Sequence, residues 1–417
     1  MGRLVEVAVP ARLGVGFRWL LASSWATNLG DGIALAAGPL LVASLTRDAF
    51  LVALAASVQW LPPLLFGLIA GALTDRLDRR LIVVCVDLAR AAVLVVLTLA
   101  VATDHVSIAG VLMALFVLST AEVFADNSSQ TLLPMLVARD DLALANARLQ
   151  MGFITVNQLA GPPLGAALFT VGAAWAFGAQ AVVVALGAVL VTRVVLRSHP
   201  RDDKASTHLR HDIAEGFHWV RRHAAVRTLV LTIFTFNITF GAAWSVLVLY
   251  ATRHLGLGHV GFGLVTTVSA LGGLAGTGLY GWITRRVSLG NIMRIGLIIE
   301  TLTHLALALT TSPWVAMPVF FVFGAHAFIW GTTSVTVRQR AVPLALQGRV
   351  GSVNLVGVYG GLVLGSAIGG ALAQVGGLTA PFWFAFAGSA VFVVLIWRQL
   401  GHIAHADEQP DAAAQVV

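Results

Sequence analysis

Twelve apolar runs, each long enough to cross a bilayer, follow one another along the chain and leave little room for any other architecture. A hydrocarbon core about 30 Å thick takes roughly 20 apolar residues of helix. Lipid offers no partner to a bare peptide group, so such runs fold as helices whose backbone bonds are internal. They lie near 17–45, 50–74, 81–102, 106–136, 143–170 and 174–196, and again near 228–252, 260–284, 291–311, 314–337, 348–374 and 379–398. The first exceeds the core of a cleavable signal peptide and is expected to remain as a span. The expected architecture is an all-α integral membrane protein with two six-helix bundles, 1–196 and 228–400. A linker at 197–227 joins them and a disordered polar tail at 401–417 follows. Within the linker, Ile213, Phe217 and Val220 fall at helical spacing among charges, which predicts an amphipathic helix lying on the inner membrane surface.

Composition agrees and narrows the function. Only 11% of residues are charged and 58% are hydrophobic, against about 25% charged in a soluble domain. The net charge of +7 reflects basic loops rather than a nucleic-acid surface, for which no basic aromatic patch exists. If the N-terminus is cytoplasmic, the inner segments hold Arg76, Arg79, Arg80, Arg139, Arg193, Arg285, Arg286, Arg338, Arg340, Arg398 and the basic residues of the linker. The outer loops hold only Arg47 and Arg253. This bias places both termini in the cytoplasm of a multi-pass plasma-membrane protein. Cys85 is the single cysteine, which excludes an intramolecular disulfide and a thiolate metal site. Lys204 is the only lysine and no Gly-x-x-x-x-Gly-Lys loop surrounds it, so the chain does not use ATP directly. The string Gly256 to Gly261 lies in an outer loop without a preceding strand and is not a dinucleotide site. Zinc-protease and nucleophile-elbow motifs are absent as well. The chain reads as a non-enzyme, without cofactor or metal, working as a monomer.

The densest charge in the first half sits in the turn Gly71-Ala72-Leu73-Thr74-Asp75-Arg76-Leu77-Asp78-Arg79-Arg80-Leu81. Five charges there cannot enter the lipid core, where each would cost several kcal/mol. The two halves also echo one another, as parallel repeats of six helices do. Gly71 to Thr74 before Asp75-Arg76 matches Gly281 to Thr284 before Arg285-Arg286, and Gly161 and Gly165 match Gly361 and Gly365. Arg148 and Arg349 open the fifth and eleventh spans.

The 71–81 turn resembles the signature loop between helices 2 and 3 of the major facilitator superfamily. Asp78 stands in place of its usual second glycine, as in the branch that includes the enterobactin exporter and macrolide efflux proteins. Asn28-Leu29-Gly30-Asp31-Gly32, Ala121 to Asn127 and Asn157 to Gly165 are similar to that branch too. Gly161-Pro162-Pro163 followed by Gly165 resembles the antiporter motif of helix 5. Glycines one turn apart let another helix approach closely, and the two prolines remove backbone donors and bend the helix. The resemblance implies a twelve-helix secondary exporter of drugs, macrolides, siderophores or secondary metabolites, exchanging protons by alternating access and sealing its outer side at this motif. An importer or facilitator of a small polar solute is the alternative. The family's arginine motif of helix 4 is missing, since Glu122 and Asp126 occupy that helix.

Ionisable residues inside spans are the functional candidates. Helices 1 and 4 line the cavity in the family's fold, so Asp31, Glu122 and Asp126 are expected to carry protons. Asp31 and Glu122 could instead be structural carboxylates paired with Arg90 or Arg148. Asp87 and Arg90 are spaced to pair locally, and so are Glu300 and His304. Asn28, Asn157, Asn237, His326, Trp330, Asn354 and Tyr359 are candidate cavity groups, suited to an amphipathic organic substrate. By the resemblance, Gly71, Asp75, Arg76, Arg79 and Arg80 form a conformational latch. Asp75 is expected to cap the start of span eleven near Gly348 to Gly351, and Arg79 or Arg80 to reach Asp126.

Overall fold

The computed structural model describes residues 11–195 and 209–403, without the side chains of Ala11, Ala72, Asp75, Arg76, Ala345, 209–213 and 401–403. The described residues contain helices and no strand. In the first half run α1 (Gly14–Leu45), α2 (Ala49–Arg76), α3 (Arg79–Ala102) and α4 (Ile108–Leu136). They are followed by α5 (Leu142–Gly152), a π-helical segment (Phe153–Ala160), α6 (Gly161–Val171) and α7 (Ala173–Val191). The linker helix is α8 (Leu209–Arg222). The second half has α9 (Ala224–Trp244), α10 (His259–Thr284), α11 (Leu289–Leu309), α12 (Pro313–Ala341), α13 (Gln347–Gly376) and α14 (Ala380–Ile403). Another π segment, Tyr250–His254, ends span seven. The expected tail lies outside the described residues beyond Ile403.

Eleven of these helices are long and apolar enough to cross a membrane. The fifth of the twelve expected crossings is composite, made of α5, the π segment and α6. Its interruption follows from Pro162 and Pro163, which deprive the preceding turn of two amide donors.

Loop residues define where helices begin. Asp48 accepts from the amides of Phe50 and Leu51 at the start of α2. Asp78 does the same for Arg80 and Leu81 at α3. Ser107 caps α4 and Ser288 caps α11. Such caps satisfy amides that the first turn leaves open.

The chain divides into two compact units. The first comprises the first half together with residues 251–267, so the opening turns of α10 group with it. The second holds 206–250 and the rest of the second half. Inside the first unit α1 packs on α6 and α7, α3 on α4 and α7, and α2 on α4. Inside the second, α9 packs on α13 and α14, and α11 on α12 and α14. The pairings of spans one, three, four, five and six recur in those of spans seven, nine, ten, eleven and twelve. Matching polar pins accompany it: Ser23 donates to the Gly187 carbonyl at 2.7 Å between α1 and α7, and Ser389 to Thr239 at 3.2 Å between α14 and α9. Since lipid is as apolar as leucine, close packing and such bonds hold helices together.

Cores form at one end of each unit. Phe17, Leu20, Val83, Leu132, Ala145 and Val191 bury one another in the first. Leu229, Phe236, Met293, Leu297 and Val337 do so in the second. The amphipathic α8 belongs to the second unit. Its Val220 packs with Val226, Val230 and Val350, and Glu215 pairs with Arg349 at 2.8 Å.

Candidate functional site

The polar centre of the first unit begins with two glycines. At Gly30 a methyl group would collide with Val184 of α7, and at Gly32 with the Asn157 carbonyl of the π segment. The helix is therefore held tightly on this side, and Asp31, between the two glycines, meets α3. Arg90 donates to Asp31 through Nη2 and to Asp87 through Nη1, the latter at 3.0 Å. Asp87 and Arg90 are buried, while the Asp31 side chain keeps 17% of its surface. Glu122 and Asp126 on α4 lie close enough to act electrostatically on Asp31 and Arg90. Glu122 is half-buried and Asp126 is exposed. Arg90 thus binds two carboxylates, with Glu122 and Asp126 in electrostatic reach of the group but not bonded to it. The local Asp87–Arg90 pair expected from spacing is present, and Arg90 is the partner that Asp31 finds.

The signature turn is held at several points. Thr74, fully buried at the end of α2, donates to the Ala70 carbonyl and meets Ser128 of α4 at 3.3 Å. Arg79 reaches the far end of α4, as expected, at the Thr131 carbonyl (3.5 Å) and the Met135 sulfur (3.2 Å). Those atoms lie beyond Asp126, the expected target, along the helix. Arg80 donates to the Val194 carbonyl at 2.9 Å, after α7. Gly71 is half-buried. The side chains of Asp75 and Arg76, and so the expected Asp75 cap, lie outside the described residues.

Span five carries the second constellation. The Gly161 amide bonds to the Val156 carbonyl, five residues back, which closes the π segment. Pro163 has no amide to give the Leu159 carbonyl, and Thr267 of α10 donates to that carbonyl at 2.9 Å. The two glycines face α1: a Cβ at Gly161 would lie 2.5 Å from the Gly32 Cα, and one at Gly165 would strike the Ile33 carbonyl. The other side of α6 takes α10, where a Cβ at Gly263 would sit 2.7 Å from the Pro162 carbonyl. His259 completes this contact, edge-on to Phe169 at 5.3 Å. Thr267 and Gly263 escaped sequence reasoning. Pro163 announces that the Leu159 carbonyl needs another donor, yet nothing local says which helix supplies it.

The candidate cavity groups are divided between the two units, Asn28 and Asn157 in the first and the others in the second. Asn28 bonds back to the Ser24 carbonyl and Asn237 to the Ile233 carbonyl, each at 2.7 Å. Asn157 is buried and accepts from Gln158 at 2.6 Å. The Asn354 oxygen and the Trp330 indole nitrogen are buried without a hydrogen-bond partner. Tyr359 is half-buried. His326 is not solitary. Its Nε2 faces one oxygen of Glu300 at 3.8 Å while His304 Nε2 faces the other at 3.9 Å. Aromatic rings of Phe240, Trp244, Phe320 and Phe323 pack beside them, Phe240 stacked on Phe323 and Trp244 edge-on to Phe320.

A repeated helix pairing, a charged turn after the second span and a broken fifth span define a major facilitator transporter. Solved structures agree on the fold. A bacterial homologue of the iron transporter ferroportin, in its inward-facing state, matches with a TM-score of 0.76 at 16% identity, over 92% of this chain and 98% of that one. The nucleoside transporter NupG matches with a TM-score of 0.70 at 13% identity, over 93% and 99%. The chain belongs to the transmembrane secretion effector family, whose model matches residues 8–415. Macrolide efflux protein A of Streptococcus pyogenes is 23% identical over 368 residues, covering 84% of this chain and 87% of that protein.

Proposed function

We propose that this transporter exports a hydrophobic or amphipathic organic compound, of the kind a macrolide represents, in exchange for protons. The observation that carries the coupling is the charge count around Arg90. One guanidinium stands among Asp31, Asp87, Glu122 and Asp126. With every carboxylate ionised, the group would carry four negative charges against one positive, and its buried members would lack water to screen that imbalance. Protons arriving at Glu122 and Asp126, the members not bonded to Arg90, relieve that excess, and their departure restores it. Export is supported by the macrolide efflux relative and by the Gly-Pro-Pro break in span five.

In this reading the 71–81 turn faces the cytoplasm, as do both termini, and the protein works in the plasma membrane as a monomer. Residues 1–196 and 228–400 act as the two bundles that move about the linker at 197–227. Asp75, Arg76, Arg79 and Arg80 latch them, and Asn28, Asn157, Asn237, His326, Trp330 and Asn354 line the substrate path. Efflux of a panel of dyes and antibiotics from cells, with and without a proton uncoupler, tests the proposal. Uncoupler-sensitive extrusion of at least one bulky apolar compound is expected. Extrusion of none, with uptake of a small polar solute instead, would assign the protein as an importer.

A further inference from the structure

The second unit contains a titratable group that the antiport reading does not use. Glu300 on α11 has its two carboxylate oxygens directed at two different imidazoles, His304 one turn along the same helix and His326 on the adjacent α12. The His304 side chain has no exposed surface, that of His326 has 4%, and that of Glu300 has 12%. Neither imidazole has a hydrogen-bond partner for either of its ring nitrogens. Buried polar atoms left in this condition call for a missing ligand.

Among the described residues no arginine or lysine pairs with Glu300. On the elements packed around the group, Arg294 lies on α11 itself and bonds to the Trp397 carbonyl. The other charged groups are Arg227 in the first turn of α9, Arg338 and Arg340 in the last turn of α12 and Arg398 near the end of α14. The walls are aromatic, with Trp244 edge-on to His304 at 6.0 Å and Phe323 at 5.5 Å from His326. Gly296 admits Trp330 and His326, since a Cβ there would be 2.7 Å from the indole and 3.3 Å from His326 Nδ1. Among the described residues no three such side chains are arranged to hold a metal ion.

We propose that Glu300, His304 and His326 form a second proton-binding site, in which one exchangeable proton is shared between the carboxylate and either imidazole. The group is neutral when the proton is on Glu300 and both rings are unprotonated. Transfer to His304 leaves a carboxylate and an imidazolium on one helix; transfer to His326 places the pair across α11 and α12. Release to solvent leaves one negative charge with no arginine or lysine paired to it among the described residues. Both separations exceed a hydrogen bond by less than 1 Å, so a small side-chain rotation closes whichever contact the proton selects. Proton position thereby sets how firmly α11 is tied to α12. This site stands independently of proton carriage by Glu122 and Asp126.

The test is infrared difference spectroscopy of the purified full-length protein in lipid nanodiscs, titrated with pH without substrate. In the Glu122→Gln, Asp126→Asn background, a carbonyl stretch from a protonated carboxyl group should appear and vanish with pH, and adding Glu300→Gln should remove that component. In His304→Asn and His326→Asn, which keep the carboxylate, the midpoint should each move by about one pH unit or more. Circular dichroism checks that each variant is folded. A band unaffected by Glu300→Gln, or a midpoint unmoved in both histidine variants, overturns the shared site.

Discussion

The two units repeat one pattern of helix pairing and differ in how each treats its buried charge. The first places a permanent cation, Arg90, between Asp31 and Asp87. The second sets Glu300 between two imidazoles, with no permanent cation paired to it among the described residues. A guanidinium stays charged at any physiological pH, so the first cluster keeps an ion pair whatever its remaining carboxylates do. The second can be neutral throughout. The fifth and eleventh spans diverge in parallel. Both use glycines against their neighbours, Gly161 and Gly165 on α1, Gly361 and Gly365 on α9. Only the fifth carries the proline pair, and only the fifth is broken by a π segment, while α13 runs unbroken from Gln347 to Gly376. Glycine spacing therefore accounts for close packing, and proline for the break.

Substitutions can erase these contrasts one at a time. Arg90→Met should have the largest effect, leaving Asp31 and Asp87 without their cation at a cost of about 3–5 kcal/mol. Loss of folded protein, read by thermal unfolding in detergent, checks it, and a normal melting profile would show that the pair is dispensable. Next, Thr267→Val should strand the Leu159 carbonyl and cost about 1–3 kcal/mol. Pro163→Ala returns an amide to that carbonyl, so the double variant should recover on the order of 1 kcal/mol in a double-mutant cycle. Strict additivity would deny the link between the proline and the threonine. Asp78→Ala should lose an N-cap for about 1 kcal/mol, seen as a small drop in melting temperature without loss of insertion. Glu300→Gln should have the smallest effect, about 1 kcal/mol or less, because it breaks no close ion pair. A loss as large as that of Arg90→Met would mean that the second cluster also holds a permanent ion pair.

Much of this was legible in the residues. Long apolar runs and basic loops pointed to a polytopic helical protein, and the spacing of Asp87 and Arg90 announced their bond, because helix geometry alone determines which residues three apart can touch. The Gly161–Gly165 face was readable as a close-packing surface, though not that α1 would be the helix it receives. Contacts across the fold were less accessible. Charge pairs Arg79 or Arg80 with Asp126, and nothing local announces the Thr131 carbonyl and Met135 sulfur that Arg79 meets further along α4, or the Val194 carbonyl that Arg80 meets after α7. His326 read as a candidate cavity group by its span alone, and its neighbour Glu300 could not be foreseen because it lies on another span. A periodicity argument sees one helix at a time, and side chains that meet between helices fall outside it.

The central claim is that the carboxylates not bonded to Arg90 carry protons that drive export. It is tested most directly in proteoliposomes with an imposed proton gradient and a labelled macrolide, comparing wild type with the Glu122→Gln, Asp126→Asn double variant. The account predicts gradient-driven transport by the wild type, abolished by a protonophore. It predicts that the double variant folds and exchanges substrate across the membrane without responding to the gradient. Gradient-driven transport at the wild-type rate in the double variant would contradict it.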